Sequence, residues 1–217
     1  MDAVTQVPAP VNETVLEYAP GSPERADLEV ALATMGADRR DFPHTIGGRR
    51  VMGGGKKFDV RQPHARRKIL GTLKNATVAD ARSAVDAAKA AAPGWRALSF
   101  DDRAAILLKA AELLSGPWRA RLNAATMLGQ SKTCYQAEID SACELIDFWR
   151  INAYFAREIL AEQPPLNSKG IWNRTDHRPP RAAPWSPERR GSASATASTR
   201  RCCPGAPARS AGCRRSR

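Results

Sequence analysis

The 217-residue sequence has no apolar run approaching the ~20 residues that a helix needs to cross a bilayer, so no membrane span is expected. It lacks a secretory h-region at its N-terminus, and Arg39-Arg40 is not followed by the apolar segment of a twin-arginine signal. An Arg-rich amphipathic transit segment is missing too, which favours a bacterial cytoplasm over a mitochondrial matrix. Cysteines are few and odd in number, five in all, and this argues against a disulfide framework of the secreted kind.

The sharpest absence lies at the C-terminal end. Residues 178–217 contain no Leu, Ile, Val, Met, Phe, Tyr or Lys. Such a stretch cannot bury enough apolar area to offset the entropy of ordering, so a disordered tail is expected there. It does contain ten Arg and a single acid, Glu188. The rest of the chain carries 24 Lys and Arg against 21 Asp and Glu, so the formal charge of +12 belongs mostly to the tail.

Three readings of that tail compete. An Arg/Ser/Pro arm would hold nucleic acid through phosphate contacts, with affinity falling steeply as salt rises. It has neither lysine nor regularly placed aromatics, so a non-enzymatic, basic-tailed nucleic-acid-binding protein stays only as the alternative. A zinc site built from Cys202, Cys203, Cys213 and His177 lacks the paired spacing that tetrahedral zinc prefers, and no metal is expected. The third reading is a frameshift. Arg, Ala, Pro, Ser, Gly, Thr and Cys are the vocabulary of GC-rich codons read out of frame, and a one-base change near the codons for Arg178 to Arg181 would produce them.

Ahead of the tail the chain divides into an extended lead-in, residues 1–25, and a folded body, residues 26–177. A short helix is expected from Asp27 to Ala37. "HTIGGRRV" and "KKFDVRQPHARRKILGTL" give two or three short strands, with Gly47-Gly48 at a tight turn. The triple glycine of "GGGKK" invites comparison with a phosphate loop, but Arg50 and Lys57 stand where that loop needs Gly and Ser/Thr. A flexible hairpin loop is the better expectation.

Four helices follow. Thr77 caps one that should end at Pro93-Gly94, and Ser99 with Asp102 opens a second that stops at Gly116-Pro117. Pro117 suits the first turn of a third helix, which Gly129 ends. A long helix from about Gln136 to Ala161 repeats Ile139, Cys143, Ile146, Ala153 and Leu160 on one face. The fold class is α/β, a short β-hairpin plus four helices.

Within the last helix Asp140, Glu144 and Asp147 share a face, with Arg150 in reach of Asp147. Spacing alone leaves two readings open: a solvated ridge, or a carboxylate facing a polar cleft and anchoring a cationic group.

The segments "PVNETVLEYAPGSPERADL", "DDRAAILLKAAELLSGPWR", "NAATMLGQSKT" and "QAEIDSACELIDFWRINA" closely resemble the Δ1-pyrroline-5-carboxylate dehydrogenases. These L-glutamate γ-semialdehyde dehydrogenases are the proline-catabolic branch of the aldehyde dehydrogenase superfamily, and the resemblance runs from about Pro10 to about Arg178. It implies the N-terminal part of a three-part fold: an NAD-binding domain, a catalytic domain and a β-stranded arm that builds homo-oligomers. It implies oxidation of glutamate semialdehyde to glutamate, with NAD as cofactor, a cysteine thiolate as nucleophile and a glutamate as general base. The oxyanion-binding Pro-Phe-Asn-Phe segment of the family lies beyond the stretch that here is Trp172-Asn173-Arg174. Nucleophile, base and NAD-binding strands come later still, so no catalytic or cofactor residue is expected in this chain, which alone should be inactive. One site position falls inside the resemblance. The glutamate of "ELIDF", Glu144, is implied to line the aldehyde pocket near the amino end of the substrate. Cys134 and Cys143 do not match the nucleophile's context and are expected to pack.

Overall fold

The computed structural model describes residues 7–177. The expected tail, with its three cysteines and Glu188, lies outside the described residues.

The lead-in has no regular secondary structure from Val7 to Ala19, with Tyr18 in the left-handed region at φ +54°, and turns into α1, Pro23–Ala37. This helix begins four residues before the expected Asp27, for a local reason. Ser22 accepts a hydrogen bond from the Arg25 amide, and Pro23 occupies a first-turn position whose missing N–H costs nothing.

Two hairpins follow, together with a short strand. β1 (Arg40–Asp41) pairs in parallel with β5 (Ala65–Lys74), while β4 (Lys57–Gln62) pairs antiparallel with β5, giving the order β1-β5-β4. β2 (His44–Ile46) and β3 (Arg49–Val51) form a separate hairpin, turned by Gly47 and Gly48 at φ of +57° and +76°.

Gly53 to Gly55 join β3 to β4 and are not a flexible loop. The Gly55 amide donates to the Asn75 carbonyl at 2.9 Å, and the Asn75 amide donates to Lys56 O at 3.0 Å. A Cβ on Gly55 would stand 2.7 Å from Asn75 O, so only glycine permits the approach.

The helices then come in succession. α2, Val78–Ala97, carries a full capping box of Thr77 and Asp80. It passes straight through Pro93-Gly94, where an end was expected. Proline removes a single N–H donor, and the last turn to Ala97 continues past it. α3, Phe100–Ser115, starts at Ser99 as expected. α4, Arg119–Gln130, begins after Pro117, with Trp118 at the cap, and ends on Ser131 in the left-handed region at φ +61° instead of at Gly129.

The expected single long helix is three pieces: α5 (Cys134–Ala137), a π-helical turn (Glu138–Cys143) and α6 (Glu144–Ala161). The wider π turn rotates everything before it relative to everything after it. Cys143, Ile146 and Ala153 are buried as expected, whereas Ile139 and Leu160 are only partly so.

Two apolar clusters hold these parts together. Tyr18, Leu28 and Ala124 join the lead-in and α1 to α4, with Met35, Met127 and Cys134 packed around them. Ala111, Leu114 and Ile146 join α3 to α6, with Leu122, Leu145 and Trp149 alongside.

Candidate functional site

The π turn brings Glu138, whose side chain is wholly buried, to the middle of a set of hydrogen-bond donors, the Cys143 thiol at 3.7 Å from Oε1 among them. Its Oε1 accepts from the Leu16 amide at 2.9 Å and from Arg119 Nη2. Its Oε2 accepts from Tyr18 OH at 2.8 Å, Asn123 Nδ2 at 2.7 Å and Arg119 Nε at 3.3 Å. Burial works to raise the pKa of this carboxyl. The Arg119 bond, the Leu16 amide and the Tyr18 and Asn123 side chains overcome it, and the group titrates below its ordinary range. Tyr18 moves the other way: burial and then its bond to a carboxylate hold its proton on.

Arg119 carries the network outward. Nη1 donates to Glu13 Oε1 and Nη2 to the Thr14 carbonyl, each at 2.6 Å. The other oxygen of Glu13 accepts from Arg150 Nη1, also at 2.6 Å. The Glu13 amide closes the circuit by donating to Asp147 Oδ1 at 2.6 Å. Five charged side chains from four parts of the chain, Glu13, Arg119, Glu138, Asp147 and Arg150, thus clamp the lead-in onto α4, the π turn and α6.

This rearranges the acidic ridge. Arg150, expected on Asp147, instead pairs with Glu13, a residue that spacing along the helix could not suggest. Asp140 is held by Lys132 Nζ at 2.7 Å, and Asp147 by the Glu13 amide. Both carboxylates therefore have structural work.

Glu144 differs from its neighbours. It is the first residue of α6, directly after the π turn, and its side chain is exposed. Among the described residues no hydrogen bond or ion pair engages its carboxylate. Behind it Cys143 is buried, and burial, then the charge of Glu138, pushes its thiol up to about 11. Cys134 is half-buried and shifted in the same direction, first by burial and then by Glu138. Neither thiol has the depressed pKa of an attacking cysteine, in keeping with packing roles. Among the described residues no group of His, Cys, Asp and Glu could hold a metal ion.

Comparison with known proteins fixes the lineage. The sequence model described as "Aldehyde dehydrogenase family" matches residues 51–180. The chain belongs to the aldehyde dehydrogenase family. Among its relatives within that family is the Δ1-pyrroline-5-carboxylate dehydrogenase of Agaricus bisporus, 45% identical over 181 residues, a match covering 82% of this chain and 32% of the relative. A mitochondrial enzyme of the same name from Dictyostelium discoideum is 39% identical, with 82% and 32% covered. Among solved aldehyde dehydrogenase relatives, the Δ-pyrroline-5-carboxylate dehydrogenase of Mycobacterium tuberculosis superposes with a TM-score of 0.80 at 59% identity, covering 82% of this chain and 33% of that one. The same Mycobacterium protein has also been solved with NAD bound. The chain spans about a third of the length of these relatives. No helix among the described residues is long and apolar enough to cross a membrane.

Proposed function

We propose that this chain is the N-terminal portion of an NAD-dependent dehydrogenase that oxidises L-glutamate γ-semialdehyde to L-glutamate, and that Glu144 is its contribution to the substrate pocket. The relationship to pyrroline-5-carboxylate dehydrogenases over 82% of the chain carries the reaction class. Glu144 is the carboxylate of the ridge with no structural partner, and a carboxylate left open to solvent suits the ammonium group of an amino-acid aldehyde.

The described residues offer NAD no open glycine loop. Their run of three glycines, Gly53 to Gly55, is closed: Gly54 N donates to Asp80 Oδ2 at 3.0 Å, Gly55 N is taken by Asn75 O, and Cβ-sized space is absent. NAD binding, the nucleophilic cysteine and the general base are therefore assigned to polypeptide that this chain does not span, as is any homo-oligomeric arm. The 217-residue chain alone forms no NADH from glutamate semialdehyde. Turnover by the purified chain would sink that part of the reading.

The Arg-rich residues 178–217 are proposed to arise from a shifted frame. Sequencing the gene and reading past the codon for Arg178 in all three frames tests this, and the expected result is a Pro-Phe-Asn-Phe-type segment in another frame. The frame-restored enzyme then tests Glu144. Glu144→Gln should raise KM for glutamate semialdehyde at least about tenfold, the loss of one charge-assisted contact, with a smaller change for an aldehyde that lacks the amino group. Equal effects on both substrates would remove Glu144 from the pocket. The cytoplasmic setting is part of the same proposal, and cell fractionation decides it against the mitochondrial location in the Dictyostelium enzyme's name.

A further inference from the structure

One face of the β1-β5-β4 sheet carries its charges in rows. The register sets Asp41 and Asp59 on either side of Thr72, one on each neighbouring strand. Further along in one direction Lys57 stands directly opposite Lys74. In the other direction Arg61 stands opposite Ile69, and Arg39 precedes Asp41 by two residues. Side chains two apart on a strand share a face, and the register shift between Val60 and Arg61 keeps Ile69 on this one. The face therefore reads cation, carboxylate, cation, with rows about 6.6 Å apart at the backbone.

The fold uses few of these charges. Arg61 Nη2 donates to Asp59 Oδ2 at 2.6 Å, Arg40 Nε donates to Asp38 at 2.6 Å, and Asp41 accepts from Thr72 Oγ1. Among the described residues Arg39, Lys57 and Lys74 make no ion pair, and neither does Asp41. Lysines directly opposite each other in a ladder repel. Natural proteins concentrate such local conflicts at functional or strained sites. An opening lies beside the carboxylate row, where Arg39, Arg40, Asp41, Asp59, Ile69, Gly71 and Thr72 line a cleft of about 160 Å³. Pockets for drug-sized ligands run to ~300–1,000 Å³, so the occupant of this one is small.

We propose that this cleft binds a free acidic α-amino acid. The ammonium group sits between Asp41 and Asp59, and the α-carboxylate beside it meets Lys57 and Lys74. The methylenes run over Ile69, and the side-chain carboxylate reaches the Arg39 guanidinium, whose planar fork suits it. The charges left over on the face, one carboxylate and three cations, have the signs that such a ligand complements. A dicarboxylate without an amino group leaves Asp41 uncompensated. A divalent cation would suit the two aspartates and be repelled by Arg39, Lys57 and Lys74. The inference stands on this sheet alone and on no step of the proposed reaction.

The test is isothermal titration calorimetry of the full 217-residue chain with L-glutamate, glutarate and 4-aminobutyrate. Glutarate keeps both carboxylates without the ammonium group, and 4-aminobutyrate lacks the α-carboxylate. Glutamate is expected to bind, and each analogue to bind at least about tenfold more weakly, the loss of one charge-assisted contact. The ten Arg of residues 178–217 attract glutarate as readily as glutamate, so glutarate separates the cleft from unspecific charge. Asp59→Asn and Lys57→Gln, both at exposed positions, should each weaken glutamate binding at least about tenfold. Lys109→Gln on α3 should leave it unchanged, and circular dichroism confirms that each variant keeps its fold. No heat with glutamate, equal affinity for either analogue, or equal affinity in all three variants overturns the proposal. So does a chain that takes up calcium through Asp59 and no glutamate. Binding that disappears with Glu144→Gln and persists with Asp59→Asn belongs to the substrate pocket, and it overturns the cleft while leaving the proposed function standing.

Discussion

Arg119 grips Glu138 with two nitrogens, Nε on one carboxylate oxygen at 3.3 Å and Nη2 on the other, and the acid is wholly buried. A buried ion pair of this kind gains little over an apolar pair, because desolvation consumes most of the Coulomb attraction. Breaking it is another matter, since the survivor stays buried and uncompensated. Arg119→Ala should therefore cost about 3–5 kcal/mol of unfolding free energy in urea denaturation. Glu138→Gln, which keeps the shape and strands Arg119, should also destabilise. The double variant Arg119→Met with Glu138→Leu should lose much less than the two single changes summed. Additive losses would mean that the pair is not coupled.

The same carboxylate sets an acid limit. Its folded pKa lies below the ordinary 4.5, so its contribution is fully present above about pH 4.5 and is lost as pH falls through the folded value. The melting temperature of the wild-type chain should drop steeply on that acid side, and Glu138→Gln should flatten the drop. Tyr18 sets the opposite limit. With its pKa raised above the ordinary 10.0, its contribution is present below about pH 10 and fades as pH rises through the folded value. Tyr18→Phe should remove that alkaline loss and cost about 1–3 kcal/mol at neutral pH, for a hydrogen bond to a charged acceptor.

How much of this could be read in advance depends on distance along the chain. The caps at Thr77 and Ser99 and the turn at Gly47-Gly48 were legible because each is settled within four residues. Glu138 was not. Its partners stand 19 residues away at Arg119 and 120 away at Tyr18, and nothing in local spacing joins them. The π turn hid it further, because a period of 3.6 carried across residues 138–143 puts Asp140, Glu144 and Asp147 on one ridge. In the fold Asp140 and Asp147 are engaged by Lys132 and the Glu13 amide, and Glu144 is left alone. Only the resemblance of "ELIDF" singled out that residue. The parallel pairing of β1 with β5 was equally out of reach, for parallel strands carry no turn to announce them.

That pairing makes a prediction at Gly71. Gly71 faces Arg40 across the parallel ladder, and a Cβ there would overlap the Arg40 carbonyl and crowd the Phe42 ring. Backbone cannot yield as a flexible side chain does. Gly71→Ala should detach β1, abolishing protection of the Phe42 amide, which donates to Thr72 O at 2.8 Å. Hydrogen exchange reads this directly. The amides of α6 should keep their protection, because α6 packs on α3 and the π turn and not on this sheet.

Cys143 supplies a chemical check on the buried cluster. Its thiol is pushed up to about 11 by burial and then by the neighbouring Glu138, against an ordinary 9.0. At neutral pH the thiolate fraction is then about a hundredfold below that of a free cysteine, and reactivity with iodoacetamide should fall at least as far. Cys134, half-buried, should react first in the native chain, and urea should bring both to the same rate. Arg119→Ala should speed Cys143 through loosened packing, since Arg119 Nη2 lies 3.4 Å from its sulfur and walls it off. The electrostatic effect has the opposite sign: removing a cation raises a thiol's pKa and slows alkylation. A faster Cys143 in that variant would therefore report opening of the clamp, whereas a slower one would show that the lead-in stays closed without its arginine.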